Sequence, residues 1–302
     1  MSNSVTTPLY IGGQERHTAD KMAIADPAKP GVVVGYAAAA TTQDVADAVA
    51  AAKAAYPAWA ALAPEQRAGK MLAALAGIAE NRDADAAILS QENGKIRFEA
   101  WIDSLVLELR WKLAVGHADE VNAAKVLPPI PGAIPVQTTV SYQPLGVVTI
   151  IVPFNWPVAI LGAALPHALL AGNTVIVKPP LTAPLATTRI VERIARQLPP
   201  GVLNVVTGVD ANMSALIRNP DVAKVCFTGS VNGGKKMMEL ASQSLTRVTL
   251  ELGGNDAAIV LKDAGTRVRR YWNSARCPGV ICRAAISYVR PLWSIRGSVC
   301  ES

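Results

Sequence analysis

From Val147 to Leu261 the sequence repeats one alternation: a short apolar run, a turn, then an amphipathic stretch. The apolar runs are Val147–Val152, Thr174–Lys178, Val202–Val206, Lys224–Phe227, Val248–Glu251 and Ala257–Leu261. Helical patterns fill residues of about 157–170, 183–197, 211–218 and 233–243 between them. Runs that are apolar along their whole length suit strands buried on both faces. Repeated β–α units assemble a mostly parallel sheet with helices on both sides. The expected fold class is therefore α/β. Ligands of such sheets bind outside the carboxyl ends of the strands, so residues at those ends are the first functional candidates.

The preceding residues are organised differently. Residues 9–36 carry turn signals at Gly12-Gly13, Asp26-Pro27 and Pro30-Gly31 and read as short strands. Thr41 or Thr42 can cap a helix from Gln43 to about Tyr56. Pro64 can open a second helix, whose face would hold Arg67, Met71, Leu72, Leu75 and Ile78. A third covers about Asp83 to Glu92 and stops at Asn93-Gly94. A fourth, from about Arg97 to Asn122, has Trp101, Leu105, Leu109 and Trp111 to bury. A proline-rich loop then leads to an alternating strand, Val136–Gln143, and the segment 126–144 reads as a projecting arm.

Composition narrows the function. The chain has 302 residues, 51% hydrophobic and 17% charged, which is globular in character. No signal-peptide pattern opens it, and its longest apolar stretches are interrupted, so a cytoplasmic protein without a membrane partner is expected. The net charge of +6 suggests nucleic acid until it is located. Residues 265–302 hold seven arginines, no lysine and one acid, Glu301, so the entire excess lies there and the body is neutral. No nucleic-acid partner is expected. His17, His117 and His167 are far apart, and the cysteines have no zinc or disulfide spacing, so no metal site is expected. Cys226, in an apolar run, reads as a buried small hydrophobe.

Four features stand at strand ends. Val147–Val152 stops at Pro153, and Asn155 follows between Phe154 and Trp156 before Pro157 can open a helix. A carboxamide there can donate to an oxygen that gains charge in a reaction; it could equally satisfy its own loop. Lys178 leaves a buried strand ahead of Pro179-Pro180 and suits a phosphate or a ribose hydroxyl, or plain solvation. Phe227 to Gly234, FTGSVNGG, is strand, Gly-rich turn and helix start, a favourable place for an anion. Glu251 ends a strand before Gly253-Gly254 and could serve as a general base. Residues 229–236 come near the phosphate loop of nucleoside triphosphatases, but Lys236 stands where that motif needs a hydroxyl for Mg²⁺. The G-x-G-x-x-G dinucleotide pattern is absent.

Taken together, PFNWP, VKPP, FTGS and ELGG, in this order and at these separations, resemble the NAD(P)-dependent aldehyde dehydrogenases over residues 9–263. The early GGQ and DPA segments and ENGK fit the same family. The resemblance implies a Rossmann-type parallel sheet in a cofactor domain at 1–254, with an oligomerising β-arm at about 126–144 and a catalytic domain, mostly missing, beginning at 255–302. It implies NAD or NADP as cofactor, a small-molecule aldehyde as substrate and a homo-oligomer. Asn155 is then similar to the family's oxyanion-stabilising Asn and Glu251 to its general base. Lys178 resembles the Lys on the adenosine ribose or its phosphate. Gly208 resembles the glycine under the adenine. Gly229, Ser230 and Gly234 resemble the turn beside the pyrophosphate. Val152, Pro153, Phe154 and Leu252 complete the cofactor-binding set. Cys282, in Gly279-Val-Ile-Cys282, resembles the nucleophile, with Val280 in place of the family's Gln.

Two departures shape the expectations. Many members carry Glu three residues after the Lys; Leu181 stands here, so NADP⁺ is expected to be tolerated beside NAD⁺. From about residue 265 the sequence turns arginine-rich, which reads as a truncated or frame-shifted catalytic domain. The expected activity is oxidation of an aldehyde to a carboxylic acid through a cysteine thiohemiacetal and thioester. The alternative is a cofactor-binding remnant without turnover.

Overall fold

The computed structural model of the chain describes residues 5–121, 123–128 and 137–254. The N-terminal strands are β1 (Val5–Thr7), β2 (Leu9–Ile11), β3 (Gln14–Arg16), β4 (Lys21–Ala25) and β5 (Val33–Ala38). Gly12 and Gly13 join β2 to β3 with φ of 61° and 87°, the left-handed pair that a two-residue hairpin turn demands. Four helices follow: α1 (Thr42–Ala60), α2 (Pro64–Glu80), α3 (Arg82–Asn93) and α4 (Arg97–Val115). Thr41 caps α1 in a full capping box: its hydroxyl accepts from the Asp44 N–H, and its own N–H donates to Asp44. Gly94 ends α3 in the left-handed conformation, as Asn93-Gly94 implied.

Two short strands, β6 (Lys125–Val126) and β7 (Thr139–Val140), pair antiparallel. They fall in the segment expected to form an arm, and β7 is shorter than the expected strand Val136–Gln143. The α/β half then runs β8 (Val147–Ile151), α5 (Pro157–Leu170), β9 (Thr174–Lys178), α6 (Leu185–Ala195), β10 (Leu203–Val205), α7 (Asp210–Arg218), β11 (Val222–Gly229), α8 (Val231–Ser242) and β12 (Arg247–Leu252). The expected run Ala257–Leu261 lies outside the described residues.

These strands form a seven-stranded sheet in the order β12-β11-β8-β9-β10-β2-β3. The first five are mutually parallel, and β2 and β3 add an antiparallel edge. Every residue of β8 and β9 is buried, as apolar runs covered on both faces require. A separate three-stranded sheet holds β1, β5 and β4. One core packs α2, α4, α5 and α6 against one face of the large sheet, and a second packs α1, α7 and α8 against the other.

Buried polar groups tie the helical layer to the sheet. The Trp59 indole N–H donates to the Leu169 carbonyl at 3.0 Å, and that of Trp111 to the Met71 carbonyl at 2.9 Å. Arg67, almost wholly buried, donates to the Leu170 carbonyl at 2.7 Å, which explains a charge on the inner face of α2. Three expectations are corrected. Helix α4 ends at Val115 and not near Asn122, and its buried face is Ala100, Asp103, Ser104, Leu107, Trp111 and Ala114, so Leu109 is exposed. Leu72 likewise faces solvent on α2. Among the described residues, no helix is long and apolar enough to cross a membrane.

Candidate functional site

The chain runs β8, β9, β10 toward one side of the sheet and β11, β12 toward the other. The strand order therefore reverses between β8 and β11, the kind of switch point at which open α/β sheets bind ligands outside the carboxyl ends of their strands. Asn155 leaves β8 at this point. Pro153 ends the strand and Pro157 occupies the first turn of α5. Trp156, at the cap position, provides no side-chain cap. The buried Asp103 of α4 does that work from a distance: its carboxylate accepts from the Ala159 N–H at 2.5 Å. Lys95 pairs with the same carboxylate at 2.9 Å, and its ammonium lies 4.0 Å from the centre of the Trp156 ring. Asn93 donates a hydrogen bond to the Phe154 carbonyl. The ENGK segment thus grips both neighbours of Asn155. Asn155 itself is half-buried, and its Oδ1 is buried without a hydrogen-bond partner among the described residues. The fold leaves this carboxamide end unused.

Lys178 ends β9 level with Ile151 of β8. It is 7% exposed, not solvated as a strand-end lysine usually is. Burial holds its ammonium below the usual lysine range, partly offset by Asp210, whose carboxylate is 3.5 Å from Nζ. Asp210 opens α7 just past Gly208. Gly208 is buried against the backbone of Ala40, where a Cβ would lie 3.3 Å from the Ala40 nitrogen. Val152, also buried, donates its N–H to the Lys178 carbonyl.

Across the switch point, β11 runs into α8 at Gly229-Ser230. Ser230 caps α8, accepting from the Gly233 N–H at 3.0 Å. A Cβ on Gly229 or Gly233 would meet the Phe227 ring at 2.6 or 2.7 Å, and one on Gly234 would meet Leu252 at 2.7 Å. These contacts account for three glycines in one turn. Glu251 lies on β12 in register with Thr228 of β11 and is exposed, as is Leu252. Asn155 and Glu251 thus leave strands with β11 between them, two interstrand spacings or roughly 10 Å apart across the sheet.

The structure therefore brings Val152, Pro153, Phe154, Asn155, Lys178, Gly208, Gly229, Ser230, Gly234, Glu251 and Leu252 to one edge of one sheet. Cys282 lies outside the described residues. Asn93, Lys95, Asp103 and Asp210 also carry the site's geometry. ENGK was a visible signal for the first two; Asp103 and Asp210 had none. Among the described residues, no group of His, Cys, Asp and Glu could hold a metal ion.

Residues 14–275 match the model of the aldehyde dehydrogenase family. The chain belongs to the aldehyde dehydrogenase family. It is 36% identical over 276 residues to a fluoroacetaldehyde dehydrogenase of Streptantibioticus cattleyicolor, covering 88% of this chain and 52% of that protein. Among solved structures, a putative aldehyde dehydrogenase from Burkholderia cenocepacia superimposes with a TM-score of 0.79 at 35% identity, covering 89% of this chain and 55% of the other. PnpE in complex with nicotinamide adenine dinucleotide superimposes equally well, with a TM-score of 0.79 at 34% identity, covering 90% of this chain and 55% of PnpE. The α/β fold is thus that of the aldehyde dehydrogenases, and the chain spans about half the length of the family members it matches.

Proposed function

We propose that this chain provides the NAD(P)-binding part, residues 1–254, and the start of the catalytic part, residues 255–302, of an enzyme that oxidises an aldehyde to a carboxylic acid. The observation that carries this proposal is the convergence of four strand ends on the β8/β11 switch point, with the Asn155 carboxamide beside it. A buried cation on one wall and a helix N-terminus on the other fit a dinucleotide. The complex of PnpE with nicotinamide adenine dinucleotide supports the same assignment.

Lys178 would hold the adenosine ribose or its phosphate, with Gly208 under the adenine. Gly229, Ser230 and Gly234 would bring the start of α8 against the pyrophosphate. The Ser230 hydroxyl already takes the Gly233 N–H, which leaves the earlier N–H groups of the turn for an anion. Val152, Pro153, Phe154 and Leu252 would line the remainder of the crevice. Bound there, NAD(P)⁺ would accept the hydride given up by the aldehyde carbon.

The chain's own residues would perform the rest. The Cys282 thiolate would add to the carbonyl carbon, and the Asn155 carboxamide would donate to the oxygen that becomes charged. Loss of hydride would leave a thioester. Glu251 would take a proton from water, whose oxygen would displace the thiolate and release the acid. The β6–β7 pair, with Val126 of β6 and nearby Tyr142 exposed, would serve as the arm through which subunits associate.

The second possibility, cofactor binding without turnover, draws on Glu251, which stands exposed on β12, the outermost strand of the sheet among the described residues. One experiment separates the two. The purified chain is mixed with NAD⁺ or NADP⁺ and a panel of aldehydes, and reduced cofactor is followed. Turnover that disappears in Cys282→Ser and falls sharply in Asn155→Ala is expected of the enzyme. Binding without turnover favours the second possibility, and absence of both overturns the assignment.

A further inference from the structure

We propose that Asp210 selects the cofactor: its carboxylate accepts hydrogen bonds from the adenosine ribose hydroxyls and excludes a 2′-phosphate. This rests on the dinucleotide assignment above and goes beyond it by naming which dinucleotide is taken. The acid that would grip the ribose is missing from the segment after Lys178, where Leu181 stands. That absence alone points to tolerance of NADP⁺. Asp210 supplies a carboxylate from a different element, the first residue of α7, which begins beyond the carboxyl end of the strand next to β9.

The geometry has a direction. The side chain of Lys178 is 9% exposed and that of Asp210 is 69% exposed, with 3.5 Å between their charged atoms. A ligand entering from solvent therefore meets the carboxylate before it reaches the ammonium. Asp210 is also the ionic partner of Lys178 among the described residues, so the cation is already compensated and offers little net charge to a phosphate. A ribose 2′-hydroxyl can donate to the carboxylate and accept from the ammonium, which uses both members of the pair. A 2′-phosphate has only acceptor oxygens and a like charge to bring against the carboxylate. The N-terminus of α7 does not reverse this preference, because Asp210 itself already complements that helix dipole.

The test is calorimetric titration of the whole chain with NAD⁺ and with NADP⁺. Wild type is expected to bind NAD⁺ at least about tenfold more tightly, the size of one hydrogen bond to a charged acceptor. Asp210→Asn and Asp210→Ala are both expected to lower that ratio by about tenfold. Asp210→Asn is included because it keeps a polar partner beside the buried ammonium. Adding Leu181→Glu to Asp210→Ala should restore the preference for NAD⁺. Equal binding of the two dinucleotides by wild type, or an unchanged ratio in both Asp210 variants, overturns the role of Asp210 and leaves the dinucleotide assignment standing. Failure of wild type to bind either dinucleotide overturns both.

Discussion

The side-chain amide of Asn93 donates a hydrogen bond to the carbonyl of Phe154, the residue immediately before Asn155. The contact joins the end of α3 to the loop after β8. Asn93 is 4% exposed, so water cannot easily replace the bond. Asn93→Ala should leave the Phe154 carbonyl short of a donor and cost about 1–3 kcal/mol of stability. Urea unfolding measures that cost. Hydrogen exchange should also show faster exchange confined to the loop around Asn155. A variant as stable as wild type, with unchanged exchange there, would mean that the loop is held by other contacts.

The Lys95–Asp103 pair is buried more completely, with side chains 3% and 0% exposed. Removing one partner strands a charge in the interior, which costs on the order of 3–5 kcal/mol. Asp103→Ala also uncaps α5 at Ala159. Lys95→Met and Asp103→Ala are each expected to destabilise strongly, and the double variant by much less than the sum. Additive losses in a double-mutant cycle would show that the pair is not energetically coupled.

Some of this was legible in the sequence, and the rest has identifiable reasons for being hidden. The buried strands β8 and β9 announce themselves as unbroken β-branched runs, and the Thr41 cap and Gly94 stop are local signals read over a few residues. Asn155 and Lys178 were visible because prolines mark both strand ends. The apolar pattern of α4 turns Leu109 inward, but the phase of the helix is set by Asp103, Leu107 and Trp111, one of them charged and invisible to such a pattern. The end of α4 at Val115 has no sequence signal, because the polar segment after Gly116 is as compatible with helix as with the turns it forms. Asn93 and Phe154 are 61 residues apart in the chain, and Lys178 and Asp210 are 32 apart. No short-range pattern reports such pairs; they become neighbours only when the sheet is assembled.

Glu92 gives the stability of the fold a pH dependence. Its carboxylate accepts the N–H groups of Leu185 and Ala186 at the start of α6, at 2.7 and 2.9 Å. Burial nevertheless pushes its pKa up to about 8. The folded state thus holds a proton that the unfolded chain has already released above the ordinary glutamate range. Its contribution is fully present below about pH 4.5, is lost as pH rises toward 8, and is level beyond that. Glu92→Gln should remove this slope, which amounts to a few kcal/mol at about 1.4 kcal/mol per pKa unit. Urea midpoints at a series of pH values measure it. Parallel pH profiles for wild type and variant would show that Glu92 titrates normally.

The central claim is that one carboxyl edge of the sheet, around the β8/β11 switch point, is the dinucleotide site. Backbone hydrogen exchange with and without saturating NAD⁺ tests it most directly, because it reports location as well as binding. The predicted result is slowed exchange at the loop around Asn155, at Gly208 and the start of α7, and in the turn from Gly229 to Gly234, with the β2–β3 hairpin at the far sheet edge unaffected. Protection elsewhere, or no protection at any of these three segments when NAD⁺ is bound, would contradict it.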